Sequence, residues 1–226
     1  AYTNGTAKII VNGGTFTGYD PRNNAAEGPN TSFVAEGVGV DADSTNGTFT
    51  AKSGMVAQII DAKGNSKKAF STLQEAIDAA GETNTIKLLA NTKENVTIST
   101  RRVTLDLNGY TLNGGTEKGK PALTVTAMYT VVKDSSKAQT GTIMREDTAE
   151  NSGVSSHYVI DVQGKSLLTF ESGTVTNNSG NSEGKGASLV RVGNDSDKKA
   201  NSILTIAGGT FTQDNFIAIK VDFGTL

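Results

Sequence analysis

The sequence predicts an all-β fold, a parallel β-helix with three strands per coil, one short capping α-helix near residues 71–80 and a small N-terminal β segment. Three observations carry that expectation. A strand-turn-strand unit recurs as Lys8-Ile-Ile-Val-Asn-Gly-Gly-Thr-Phe-Thr17, Val103-Thr-Leu-Asp-Leu-Asn-Gly-Tyr-Thr-Leu112, Leu167-Leu-Thr-Phe-Glu-Ser-Gly-Thr-Val-Thr176 and Ser202-Ile-Leu-Thr-Ile-Ala-Gly-Gly-Thr-Phe-Thr212. Its two key apolar residues keep one interval throughout: Val11 to Phe16, Leu107 to Leu112, Phe170 to Val175 and Ile206 to Phe211. Such self-similarity marks a stacked, solenoid-like fold. A third short strand then follows, as Val96-Thr-Ile98, Leu123-Thr-Val125, Ile160-Asp-Val162, Val190-Arg-Val192 and Ile219-Lys-Val221, with steps of 30 and 29 residues between the last three. Three strands per rung of ~30 residues, with no helix between them, favour a three-sided stack. An antiparallel sandwich also turns every ~8–12 residues, but does not require equivalent strands with the same side chains facing in.

Composition agrees. Of 226 residues, 35% are apolar and 26 are glycine, which suits a narrow β core that leaves much of each strand exposed. Disorder is excluded by the orderly alternation of Val, Ile and Leu and a net charge of only -2. Interspersed charges give no basic surface for nucleic acid or an anionic membrane. With no cysteine, neither a disulfide framework nor a thiolate metal site can form. No apolar run reaches the ~18–20 residues of a membrane span, so membrane insertion is not expected. The chain opens and closes within repeat-like sequence, which reads as a fragment of something longer.

Taken in order, residues 1–18 read as one strand-turn-strand unit of a coil. The turn-rich stretch Tyr19 to Asn30 breaks the pattern, and Phe33-Val-Ala, Val38-Gly-Val and Asn46-Gly-Thr-Phe-Thr50 suggest short strands, with Asn46-Gly47 a hairpin turn. Residues 1–55 are therefore taken as a terminal coil and β cap, and 56–226 as the β-helix proper. Val56–Ile60 and Lys68–Phe70 read as strands around the turn Asp61–Asn65. Ser71 with Gln74 matches a capping box, Leu73, Ala76, Ile77 and Ala80 make one apolar stripe, and Gly81 supplies a left-handed stop. A lone amphipathic helix there is placed to cover the open end of a stack.

At this point the segments Val56-Ala-Gln-Ile59, Phe70-Ser-Thr-Leu-Gln-Glu-Ala-Ile-Asp-Ala-Ala80, Thr85-Ile-Lys-Leu-Leu-Ala90 and Val103–Leu112 together carry a resemblance. They are similar to the opening cassette of right-handed parallel β-helix repeats in large, adhesin-like surface proteins of Gram-positive gut bacteria, which share the pectate-lyase-like fold. The resemblance covers residues 56–226, and Gly13–Gly18 looks like the last coil of a preceding repeat. It implies a secreted or cell-surface location and a non-enzymatic structural or adhesin-like role, with carbohydrate or a host surface protein as partner.

Residues able to carry chemistry are sparse. His157 is the only histidine and reads as a surface or turn residue, so a transition-metal site or Ser-His-Asp triad is hard to build. The enzymatic alternative is a polysaccharide lyase or glycosidase. Stacking would align Thr97, Thr124, Asp161, Arg191 and Lys220 on one outer face ~4.8 Å apart, and a lyase needs an Arg or Lys base, usually with Ca²⁺ held by several carboxylates. One aspartate is too few, and an Asp–Arg contact between rungs is an ordinary ion pair. Asp106, Lys133 and Glu171 form a second outward row, which reads in the same way as ordinary surface charge. Asn194-Asp-Ser-Asp197 lacks the glycine and closing glutamate of a calcium loop. No catalytic, cofactor-binding or metal residue is assigned, and no cofactor is expected.

For a binding role, the inserts Lys133–Thr140, Arg145–Ser156, Asn177–Gly186 and Asn194–Asn201 form the candidate surface. They hold no aromatic residue for sugar stacking, and Tyr19, Tyr110, Tyr129 and Tyr158 read as core or corner packing. The N-terminal segment is expected to cover the open end of another copy, giving end-to-end association.

Overall fold

The computed structural model describes residues 5, 7–28, 31–117, 119–146, 158–177, 188–194, 201–213 and 217–226. Its main body is a three-faced parallel β-helix. The first coil runs β6 (Thr85–Leu88), β7 (Thr92–Lys93) and β8 (Val96–Ile98), and the second β9 (Thr104–Asp106), β10 (Thr111–Asn113) and β11 (Leu123–Val125). Then come β12 (Thr130–Lys133), β13 (Thr142–Arg145) and β14 (Ile160–Val162), followed by β15 (Leu167–Phe170), β16 (Thr174–Asn177) and β17 (Val190–Val192). The last described strands are β18 (Ser202–Ile206), β19 (Thr210–Thr212), β20 (Ile219–Val221) and β21 (Gly224–Thr225). Each strand pairs in parallel with its equivalents in the coils before and after, giving one sheet per face.

Period-2 alternation explains the register. In β8, β11 and β17 the outer two residues are buried and the middle one is not, because successive side chains point to opposite faces. Ile86, Leu105, Val132, Phe170 and Ile206 stack as one inward column, and Leu112, Ile143, Val175 and Phe211 as another. The columns meet where the Phe170 and Phe211 rings lie 5.1 Å apart. A one-residue slip would turn a whole column out to solvent.

The first coil is closed by the helix α1 (Leu73–Ala79), whose Leu73, Ala76 and Ile77 join the core formed by Ile86, Leu88, Val96 and Ile98. Gln74 completes the closure: its Oε1 accepts the Thr97 amide at 2.8 Å and its Nε2 donates to the Thr97 carbonyl at 3.2 Å. The side-chain amide thus replaces the missing neighbour strand of β8. The caps differ from those expected. Thr72, not Ser71, is the N-cap, accepting the Glu75 amide at 3.2 Å, while the Glu75 carboxylate accepts the Ser71 hydroxyl at 3.2 Å and Gln74 is released for β8. Nor does Gly81 turn left-handed: the helix stops at Ala80 in extended conformation, and the Gly81 amide donates to Asn84 Oδ1.

Before the helix, β4 (Ala57–Ile60) and β5 (Ser66–Phe70) extend the first face by antiparallel pairing, so parallel stacking ends at β6. The chain's first part forms an antiparallel sheet, β1 (Gly14–Thr17) with β3 (Thr48–Lys52) and β3 with β2 (Gly39–Asp43). The Lys8–Thr17 unit is therefore not a coil of a parallel stack. Its Gly-Gly-Thr-Phe-Thr half pairs antiparallel with β3, and Ile9 and Ile10 are half exposed where a coil would bury one of them. This sheet packs on its own chain. Gly39 lies so close to the Ala69 side chain that a Cβ there would sit 2.1 Å away. Asp41 Oδ1 accepts the Ala69 amide at 2.8 Å, and Gln58 Oε1 accepts the Val40 amide at 2.9 Å.

Candidate functional site

The outward row on the third face lies as the spacing predicts, with Thr97, Thr124, Asp161, Arg191 and Lys220 in register. Its chemistry is saturated. Arg191 grips Asp161 with both arms of the guanidinium, Nε to Oδ1 at 2.9 Å and Nη2 to Oδ2, and lies over the Tyr158 ring with 4.6 Å from Cζ to centroid. Asp161 is buried beneath it. Lys220 pairs with Asp222 at 3.1 Å. Burial alone would lower the Arg191 pKa, but the hydrogen bond and charge of Asp161 outweigh it and raise it. The hydrogen bond to Asp222 likewise raises that of Lys220. A general base needs the opposite, a cation brought down towards the working pH. Within this row the Asp161–Arg191 pair ties two neighbouring coils together.

In the second row Asp106 is a turn support. Asp106 is buried, and its Oδ1 accepts the amides of Asn108 at 3.0 Å and Ser135 at 2.9 Å. Lys133 stands opposite it in register, with no ion pair between them among the described residues, and Glu171 is exposed one coil further on. His157, the stretch 195–197 of the acidic loop and most of the inserts after Glu146, Asn177 and Asn194 lie outside the described residues. Among the described residues no group of three His, Asp or Glu side chains is placed to hold a metal ion.

Two buried ionised residues give little sign of themselves in the sequence. Asp134 collects the amides of Gly109 at 2.8 Å, Ser136 at 2.9 Å and Gly141 at 2.6 Å, bridging the corners of two coils. Burial pushes its carboxyl up, yet these hydrogen bonds together hold it below its ordinary value. Arg145 is wholly buried, with its pKa lowered by burial to about 10, so it remains charged at neutral pH. It donates to the Gly115 carbonyl at 3.3 Å and to the Glu117 carbonyl, anchoring the loop after β10. For Arg145 the one available signal is alternation: it is two residues beyond the buried Ile143 and so on the same inward face.

The tyrosines divide. Tyr158 is buried and Tyr110 half-buried, as core or corner packing requires. Tyr129 is 45% exposed, on a left-handed corner with φ of 61°. Arg102 holds the equivalent left-handed corner one coil earlier and stands 5.7 Å from the Tyr129 ring centroid. Non-glycine residues in this conformation cost ~1–2 kcal/mol each, so these corners spend stability to present an aromatic ring beside a cation. Such a pair suits stacking on a sugar ring or another planar group.

Comparison with protein-family models, with curated proteins and with solved structures found no match.

Proposed function

We propose that this chain is a non-enzymatic display segment of a secreted or cell-surface, adhesin-like bacterial protein, a stiff stack that presents loops to carbohydrate. One observation carries the reading. The connections from the second face to the third leave from the same corner in successive coils. Their starts are in register at Asn113, Met144 and Thr176, and their ends at Leu123, Ile160 and Val190. The described ends of these connections therefore lie along one edge, where adjacent rungs are ~4.8 Å apart. Sequence variation there changes a surface without disturbing the backbone ladder. The saturated charges of the Asp161–Arg191–Lys220 row support the absence of a catalytic role, and the resemblance of residues 56–226 to surface-protein repeats supports the location.

A glycan array with and without Ca²⁺, followed by incubation of each hit and analysis of chain length, tests the reading. Binding without shortening is expected. It should disappear when 148–156 and 179–186 are each replaced by a short Gly-Ser linker, and weaken in Tyr129→Ala. Binding indifferent to all three changes sinks the display account. Shortening of a hit establishes the polysaccharide-active alternative and makes Asp161, Arg191 and Lys220 the first residues to replace.

A further inference from the structure

Three successive coils place a residue other than glycine in the left-handed region at the corner that opens the first face. These are Thr83, Arg102 and Tyr129, with φ of 67°, 59° and 61°. Each stands two residues before one of the in-register positions Thr85, Thr104 and Val131. The backbone joins them along the stack: the Thr83 amide donates to the Arg102 carbonyl at 2.9 Å, and the Arg102 amide to the Met128 carbonyl at 3.0 Å. Lys165, with φ of 65°, holds the same corner one coil on, between Gln163 and Leu167, whose amides donate to the Val125 and Ala127 carbonyls.

Glycine or asparagine takes this conformation at less cost than arginine, tyrosine or lysine. Outliers of this kind collect where a chain holds side chains ready for a ligand. The side chains held here are exposed and unbalanced in charge. Arg101 faces Glu82 at 3.8 Å, whereas Arg102 and Lys165 have no ion pair among the described residues. In coil order Tyr129 lies between these two cations, nearly half exposed, with the Arg102 guanidinium 5.7 Å from its ring centroid. Two unmatched cations call for an anion, and the exposed ring calls for a flat apolar face beside it. A carboxylate's two oxygens are taken up by one guanidinium fork, while the three terminal oxygens of a sulfate ester serve both cations.

We propose that this corner binds a sulfated saccharide. The C–H face of the sugar ring lies on Tyr129, and the sulfate accepts from Arg102 and Lys165. The inference rests on the display reading in taking a saccharide as the ligand. Its site is separate, because the loop edge joins the second face to the third and this corner joins the third to the first.

The test is calorimetric titration of the whole chain with a sulfated carrageenan oligosaccharide, its desulfated form, and a hyaluronan oligosaccharide, which carries carboxylates only. The sulfated probe is expected to bind, more weakly as salt rises, and the other two about tenfold or more weakly. Arg102→Asn and Tyr129→Asn should each weaken binding about tenfold or more. Their thermal midpoints should hold or rise, because asparagine accepts the left-handed corner more readily. A merely structural Arg102–Tyr129 pair requires the reverse, lower midpoints in both variants. No saturable binding of the sulfated probe, equal binding of the desulfated or hyaluronan probe, both variants binding as the wild type, or falling midpoints in both would overturn the proposal. Glycan-array hits that survive both asparagine variants and vanish when 148–156 and 179–186 are replaced would sink this corner site and leave the display reading standing.

Discussion

The same five residues, Gly-Gly-Thr-Phe-Thr, occur at Gly13–Thr17 and at Gly208–Thr212, and the chain folds them in two ways. In the stack, Thr210-Phe-Thr212 lies parallel to Thr174-Val-Thr176 of the preceding coil, and Phe211 reaches Phe170. In the N-terminal sheet, Thr15-Phe-Thr17 lies antiparallel to Thr48-Phe-Thr50, and Phe16 meets Phe49 across the strands. Alternation fixes which side chains share a face, but not the direction of the partner strand. That direction follows from the path the chain takes between the two partner strands. In the stack a full coil intervenes between partners, as parallel pairing requires, whereas antiparallel pairing does not need such a crossover. The two regions also differ in how they are held. The stack owns a continuous core of fully buried side chains, while the sheet buries only Val38, Val40 and Ala51 and leans on half-buried Phe16 and Phe49.

Truncating an aromatic in each region should show the largest contrast. Phe170→Ala removes a fully buried ring from the middle of a column and is expected to cost ~3–5 kcal/mol. Phe16→Ala, half-buried, should cost roughly half that or less. Chemical denaturation followed by far-ultraviolet circular dichroism reads both. Equal losses would mean that the sheet and stack share one core.

Ion pairs sharpen the comparison. Arg191→Met strands the buried carboxylate of Asp161 and should cost ~3 kcal/mol or more. Lys52→Met breaks the exposed pair with Asp41 and should cost under ~1 kcal/mol. A small loss at Arg191 would show that Asp161 is better hydrated than its burial implies, and would restore that row as a candidate for chemistry.

Glycines at matching places in the two copies of the motif should behave differently. A Cβ on Gly208 would sit 2.5 Å from the Glu171 carbonyl oxygen of the coil below, whereas one on Gly13 would meet Ala51 O at an ordinary 3.7 Å. Gly208→Ala should therefore cost ~1–3 kcal/mol and Gly13→Ala under ~0.5 kcal/mol. Thermal melts of the two variants suffice. A tolerant Gly208 would show that the coils can part locally.

Legibility in the sequence follows the same division. Strand positions and register on the third face are readable because Val-Thr-Ile, Leu-Thr-Val and Val-Arg-Val put β-branched or aliphatic residues on both sides of one polar residue, once in each coil. The fate of Lys8–Thr17 is hidden because pairing direction depends on distant β3. The helix cap falls one residue from its expected place because Ser71 and Thr72 are both good caps, and the choice rests with Gln74, which is needed at Thr97. Asp134 and Arg145 sit among Ser, Lys and Glu, so local composition marks them as solvated. Their burial comes from coils more than twenty residues away.

Corner aspartates give the last and subtlest contrast. Asp43 in the β2–β3 turn and Asp134 in the stack both accept backbone amides, and both are held below the ordinary carboxylate value of 3.8. For Asp43 the cause is the hydrogen bonds from Asn46 and Thr45 at an exposed turn. For Asp134, burial pushes the other way and is outweighed by amides from two coils. A depressed folded-state value means that each ionised group stabilises the fold at a pH above its unfolded value, and that this contribution is lost as pH falls through the folded one. Asp134→Asn should lower stability by ~1–2 kcal/mol at pH 7, with the gap to wild type closing as the pH drops below about 4. Asp43→Asn should leave the acid limb of the stack almost unchanged, because its amides can turn to water. Urea midpoints measured from pH 7 down to pH 2.5 distinguish the two. A gap for Asp134→Asn that persists undiminished at the lowest pH would show that shape, not charge, makes that aspartate the clasp between coils.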